Sequence, residues 1–532
     1  MSLLRNPIML GLAVSLMASA ALAQTPTPVQ SKWDKVNLGL VGLSAAHTPD
    51  GNVVFWSGDE TKKPYAGTGT RNTLFTIFNG TAASGVSRQE VGTQFYGQGQ
   101  ALDADGKLSV VGGHPRSNMF GYFDGDTFVL APSNERLNRG RFLSSLVTLS
   151  TGDLFVLGGN RGYDPIEKKG ATQSFGEIHS PGQAWSERVR LTWFIKDAPL
   201  ATAEMTKDRT NNPWLFAMAG PEHVFYAGPS KDMKRLFLNN NGRIYSTVAR
   251  GTSDAAHGSA VMYRPGEILV TGGVPKYSDG NQNASAAAYT IKFDIGVHST
   301  RNRDVTVTKL DAGKSPTARA FHNSVVLPDG NVLIVGGSSK GKLYDDRNAV
   351  HKTEIWNPAD GSIKTLRDLP TKRTYESTAL LLPDARVIVA GGGYCGTCEG
   401  YTATPHTDAD ILTPPYLLTS TGAVAARPEF SMAPTEARAG SHITVRMGTN
   451  QDSAPVAAKF SLVRMSSTSH GVNTDQRWLE IKEFGRLNPR SMARDFDLTL
   501  PTRAEGLIPG NHMLFALDDK GVPSVARIIN IK

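Results

Sequence analysis

Six segments of the chain repeat one arrangement of apolar and polar positions: AAHTPDGNVVFWSG, QALDADGKLSVVGG, SSLVTLSTGDLFVLGG, SAVMYRPGEILVTGG, NSVVLPDGNVLIVGG and STALLLPDARVIVAGG. Each reads as an apolar run, a turn built on Pro, Asp or Gly, a second apolar run and then small residues. Short apolar runs bounded by such turns predict β-hairpins buried on both faces. Hardly any segment carries a 3.6-residue period, and with 54 glycines and 30 prolines the chain is expected to be all-β.

The paired glycines begin at Gly112, Gly158, Gly272, Gly336 and Gly391, giving spacings of 46, 114, 64 and 55 residues. A gap of 114 is two periods, so a degenerate unit is expected within 213–246, and six visible copies plus one hidden make seven. The reading is a seven-bladed kelch-like β-propeller over 24–425. The repeat stops after Tyr416, and alternating strands without glycine pairs predict an immunoglobulin-like β-sandwich over 426–532.

Ahead of the propeller, MSLLRNPIMLGLAVSLMASAALAQ has one cation, an apolar run and small residues at Ala21 and Ala23. It reads as a signal peptide, residues 1–23, and implies a secreted or periplasmic protein. No later apolar segment is long enough to span a bilayer, so no transmembrane segment is expected. The formal charge of +8 becomes +7 without Arg5, and its cations form no basic run. That argues against nucleic acid and for a glycan or cell-envelope polysaccharide as partner, with the chain itself a monomer. The two cysteines, Cys395 and Cys398 in YCGTCEG, are expected to form one local disulfide. A thioredoxin-type redox centre would need a βαβ context that the surrounding sequence does not offer.

A propeller brings the first strand of every blade to a central axis, so side chains just ahead of those strands converge there. They are Tyr96, Gly97, Phe142, Leu143, His257, Phe321, His322, Tyr375 and Glu376. Packing accounts for Phe142, Leu143 and Phe321, and hydrogen bonding within a blade for His257 and His322. Tyr375 beside Glu376 is different. Two potentially anionic oxygens at one buried strand edge call for a metal or another cation. From the tail, His470 sits in a loop dense with Ser and Thr.

The run SHGVNTDQR around His470, with PGNHMLFALDDKGVPSVARI, FHNSVVLPDG, YESTALLLPDARV and YCGTCEG, resembles the galactose oxidase and glyoxal oxidase family, the copper radical oxidases. The resemblance implies a seven-bladed propeller capped by an immunoglobulin-like domain that sends a histidine loop up the channel to copper. Tyr375 matches a ligating tyrosine and His470 the tail histidine, whereas Glu376 stands in place of a ligating histidine. The second ligating tyrosine and its thioether-linked cysteine fall on Leu143 and Gly97, so no Cys-Tyr cross-link is expected. Aromatic residues Tyr96, Tyr277 and Phe321 are the candidates around the substrate mouth. A substrate-contacting arginine of the family falls on Asp208, one place from Arg209.

A Tyr375, Glu376 and His470 set suits copper first by the Irving-Williams order. The carboxylate brings zinc or another divalent ion into range, with Tyr375 or Glu376 as base. Two functions follow: a metalloenzyme acting on a carbohydrate or a small alcohol or aldehyde, or a non-catalytic propeller binding cell-envelope polysaccharide or protein.

Overall fold

The structure is a computed structural model that describes residues 30–57, 72–91, 94–114, 118–163, 170–172, 175–190, 211–238, 243–276, 281–296, 304–393, 403–448, 456–486 and 494–532. Their strands form seven antiparallel propeller sheets, five of four strands and two that carry a fifth, then a sandwich of two sheets. The expected hidden unit is blade 4, with strands Trp214–Ala217, His223–Gly228, Asp232–Phe237 and Arg243–Ala249. The leader, Tyr277, Asp208, Arg209, Cys395 and Cys398 lie outside the described residues. Among the described residues no helix is long and apolar enough to cross a membrane.

The glycine pairs are where blades stack backbone against backbone. Gly272, Gly336 and Gly391 have φ of 66°, 71° and 72°, the left-handed region that glycine enters without strain. A Cβ on Gly272 would lie 2.2 Å from the Arg319 carbonyl oxygen, and one on Gly336 would lie 2.7 Å from that of Arg373. Those arginines pin the same joints. Arg141, Arg319 and Arg373 each donate through Nη1 to the carbonyl of a pair glycine in their own blade, Gly158, Gly336 and Gly391, at 2.9, 3.0 and 3.0 Å. Each also pairs with an acid on its blade's third strand: Glu177 at 2.6 Å, Glu354, and Asp410 at 2.8 Å. Arginine and acid are buried together, so each guanidinium is neutralised where it is desolvated.

The ring closes by a strand the repeat does not announce. Lys32–Asn37 pairs antiparallel with Asp408–Thr413 and becomes the outer strand of blade 7, whose other three strands come from the end of the propeller. Blade 1 therefore starts only at Ser44–His47. Joining the first strand to the last blade removes an open edge.

In the tail, His442–Met447 alternates exposed and buried positions, and its inward Ile443, Val445 and Met447 meet Phe460, Leu462, Leu498 and Leu514 between the two sheets. The connection between Lys459–Arg464 and Trp478–Ile481 leaves this sandwich and enters the propeller. Its Ser467–Ser469 segment adds a strand to the inner edge of blade 1, with Ser44 opposite Ser469 and Ala46 opposite Ser467. Polar side chains bind it to other blades. Gln476 accepts from the Val326 amide at 2.9 Å and donates to the Ser324 carbonyl at 2.7 Å, and Asp475 accepts from the Leu102 amide at 3.1 Å.

Candidate metal centre

One residue at the inner edge of each blade from 2 to 7 has positive φ: Gly97, Leu143, Asn212, His257, Phe321 and Glu376, between 47° and 65°. Five of the six are not glycine. Such strain persists only where the surrounding structure imposes it, and here it turns side chains toward the axis. Gly97, Leu143 and Glu376 hold the same register position. Each immediately precedes the residue paired with the first glycine of its blade: Gln98 with Gly112, Ser144 with Gly158, Ser377 with Gly391.

Glu376 is 1% exposed and lies among phenols. Tyr96 Oη donates to Glu376 Oε1 in a short hydrogen bond, and Tyr344 Oη lies 3.4 Å from the same oxygen and 2.9 Å from Tyr96 Oη. His470, at the tip of the tail loop, brings Nε2 to 3.8 Å from Oε1. The Tyr375 ring is 5.8 Å from that imidazole, 5.1 Å from the Tyr344 ring, 5.3 Å from Phe321 and 6.0 Å from His257. The hub thus gathers Tyr375, Glu376 and His470, as the sequence suggested.

Other expectations need adjusting. Tyr96 and Phe321, read as mouth residues, are 3% and 4% exposed and pack around the candidate ligands, because the inner strand edge points into the hub. Tyr344 was not anticipated: it sits in GKLYDDRN, outside the repeated pattern, and only its φ of 49° marks it structurally. His322 bonds through Nε2 to Thr271 Oγ1 at 2.8 Å, a tie within the propeller wall.

Burial governs the charge of this cluster. It raises the Glu376 carboxyl to about 8, against the smaller opposing effect of the hydrogen bonds from Tyr96 and Tyr344. It lowers His470 to about 4, and His257 to about 3 with the nearby His470 adding to the effect. At neutral pH all three are uncharged when no cation is present. Glu376 Oε2 and His470 Nε2 have no hydrogen-bond partner among the described residues. No group of three or more His, Cys, Asp or Glu side chains there is arranged to hold an ion unaided, so a site at this point draws on phenol oxygens.

Beside Gly97 the ring of Phe142 takes up the space a side chain would need: a Cβ on Gly97 would lie 2.2 Å from its edge.

Comparison with known proteins agrees with this architecture. Residues 427–531 match the family described as galactose oxidase-like, early set domain, and residues 238–409 match glyoxal oxidase N-terminus. A galactose oxidase of Gibberella zeae is 30% identical over 522 residues, spanning 95% of this chain and 71% of that protein. The chain belongs to the galactose oxidase family of copper radical oxidases. An aldehyde oxidase of Arabidopsis thaliana is 27% identical over 285 residues, half of this chain and 44% of that one. A solved structure of a fungal alcohol oxidase of the AA5 family, in complex with copper, is similar with a TM-score of 0.79 at 28% identity. It covers 94% of this chain and 99% of that one. Within this family, then, the chain carries leucine and glycine at the register positions of Leu143 and Gly97, and a carboxylate at Glu376.

Proposed function

We propose that this chain is an exported copper radical oxidase relative whose hub holds one divalent ion on Tyr375, Glu376 and His470. We further propose that it acts on a carbohydrate or a small alcohol or aldehyde without a Cys-Tyr radical cofactor. One observation carries the metal reading: Glu376 and His470 come from separate parts of the fold and meet at the axis beside Tyr375, with His470 Nε2 3.8 Å from Glu376 Oε1, and Glu376 Oε2 and His470 Nε2 are both buried without partners among the described residues. Leaving two such atoms unsatisfied is costly, and one ion between them removes both deficits.

The donors fit such an ion: imidazole nitrogen, carboxylate oxygen and phenol oxygen suit copper(II), with zinc as the redox-silent alternative. When bound, the ion would supply a Lewis-acid centre or a one-electron couple. The protein's own part is separable. Tyr96 and Tyr344 occupy Glu376 Oε1 and leave Oε2 for the ligand role. Phe321 and Tyr344 wall the Tyr375 ring and keep water away. Tyr375 Oη is the candidate base for a substrate hydroxyl.

Elemental analysis of the metal-reconstituted protein tests the reading. The expected result is one equivalent of copper or zinc, lost in His470→Ala. A second reading has its own support, because a neutral Glu376 already takes hydrogen bonds on Oε1 without an ion. A metal-free protein of unchanged stability would favour that reading, a non-catalytic propeller that binds cell-envelope polysaccharide.

A further inference from the structure

A line of hydrogen bonds reaches the His470 ring from blades 1 and 2 through residues that the metal reading does not use. Gln100 Nε2 donates to the Ala45 carbonyl at 3.3 Å, which turns Gln100 Oε1 toward Gln98. Gln98 Nε2 gives one hydrogen to that oxygen at 2.8 Å and the other to Ser44 Oγ at 2.9 Å. Ser44 places its own hydrogen on Ser469 Oγ at 2.9 Å. Ser469 Oγ lies 2.7 Å from His470 Nδ1 and 3.4 Å from the Leu43 carbonyl. Ser44, Gln98 and Ser469 are all buried.

Only the destination of the Ser469 hydroxyl hydrogen is left open. If it goes to Nδ1, the ring carries its hydrogen on Nε2, where the Glu376 oxygen at 3.8 Å is beyond hydrogen-bond reach. That leaves a buried donor with no acceptor among the described residues. If instead Nδ1–H donates to Ser469 Oγ, the hydroxyl turns to the Leu43 carbonyl. Every hydrogen in the line then has an acceptor, and only a lone pair is left over. Buried orphan N–H groups are rarer than under-used acceptors, so the second arrangement wins. The backbone cannot relax the choice: Ser469 and Val472 exchange amide hydrogen bonds of 3.2 and 2.9 Å across the tip, and His470 is held at φ 54°.

We infer that Ser469 is a positioning residue that holds His470 as the Nδ1–H tautomer and presents the Nε2 lone pair to the space beside Glu376 and Tyr375. The affinity part of the following test rests on the proposed metal role, and the tautomer part does not. Nitrogen-15 spectra of the histidine rings in the metal-free protein should show His470 protonated on Nδ1. Ser469→Ala should move the proton to Nε2 and weaken zinc(II) and copper(II) binding by about 10- to 100-fold, the usual loss when an outer partner of a ligating histidine is removed. Ser469→Thr, which keeps the hydroxyl, should retain the parent tautomer and affinity. Ser469→Cys, close in size but a weak acceptor, should behave as Ser469→Ala and serves if the alanine variant does not fold. An Nε2-protonated ring in the parent, or a parent-like tautomer in both the alanine and cysteine variants, would overturn the inference. If the parent binds neither metal, the proposed function fails and the tautomer alone decides this point.

Discussion

His470 Nε2 and Glu376 Oε1 stand 3.8 Å apart, one carried on a loop that leaves the sandwich and the other on the inner edge of the last blade. Their closeness depends on the loop joining blade 1 as an extra strand, so one backbone register sets the distance between two side chains 94 residues apart in sequence.

The first prediction concerns protons released on metal binding. With Glu376 raised to about 8, the metal-free carboxyl keeps its proton at pH 7 and an incoming ion must displace it. His470, lowered to about 4, is already neutral above pH 5 and adds no slope. The Glu376 proton should therefore add about tenfold in zinc affinity per pH unit between pH 6 and 8, and that contribution should level off above. Calorimetry in buffers of different ionisation heat should count one proton more for the parent than for Glu376→Gln, which should also bind more weakly. A pH-independent affinity would take Glu376 out of the ligand set.

The same carboxyl makes the metal-free fold sensitive to base. Its folded pKa lies above the unfolded value near 4.5, so the native state holds a proton that the unfolded chain has lost between those values. Stability from this group is complete below the unfolded pKa and declines as pH rises toward 8, by up to about 1.4 kcal/mol per unit. His470 and His257, lowered by burial, act in the opposite direction and only below about 6.5. Because burial also raises Asp103, Asp329 and Asp475, the Glu376 share is the difference between parent and Glu376→Gln in denaturant melts with chelator between pH 6.5 and 8. The parent should weaken more steeply across that range than Glu376→Gln, and equal slopes would contradict the buried-acid description.

The blades were legible because each is local: one hairpin template and one glycine pair mark it, and the 114-residue gap betrayed blade 4. His470 was legible through its motif. What escaped was set by partners distant in sequence. Nothing in KWDKVN says that it will pair with Asp408–Thr413, and its exposed, irregular pattern fits no blade template. Tyr344 lies outside the repeat, and the placement of Tyr96 beneath the ligands follows from the inward turn of the neighbouring strand edge. The contact of Phe142 with Gly97 exists only once blades 2 and 3 stand side by side.

Propeller stability should depend on the arginine joints. Arg319 is fully buried, with Glu354 and the carbonyls of Thr317, Gly336 and Lys352 as its partners. Arg319→Met should cost about 3–5 kcal/mol, because the buried Glu354 loses its one buried cation and keeps only the half-exposed Lys352 at 3.5 Å and the Thr317 donors. Adding Glu354→Leu should recover a good part of that loss in urea melts. A double variant no more stable than the single one would mean that the backbone contacts, and not the ion pair, hold the joint.

The last prediction is the absence of a tyrosyl radical. Leu143 and Gly97 occupy the register positions where the family resemblance puts a tyrosine and its linked cysteine, and neither side chain is oxidisable at accessible potentials. The copper-loaded protein should therefore show no radical absorption after one-electron oxidation and release little peroxide from galactose or simple alcohols. Restoring the family's residue types with Gly97→Cys, Leu143→Tyr and Glu376→His should not be enough. A Cβ at position 97 would sit 2.2 Å from the Phe142 ring, and the backbone there has φ 65°, which a non-glycine residue adopts only with strain of about 1–2 kcal/mol. The triple variant should be less stable than the parent and lack the absorption. Adding Phe142→Gly clears the ring from the cysteine, at the cost of its packing against Tyr96, and should allow a copper-dependent radical band. If the parent itself gives the band and brisk peroxide release, both lost in His470→Ala, then another phenol of the hub, Tyr96, Tyr344 or Tyr375, carries the radical.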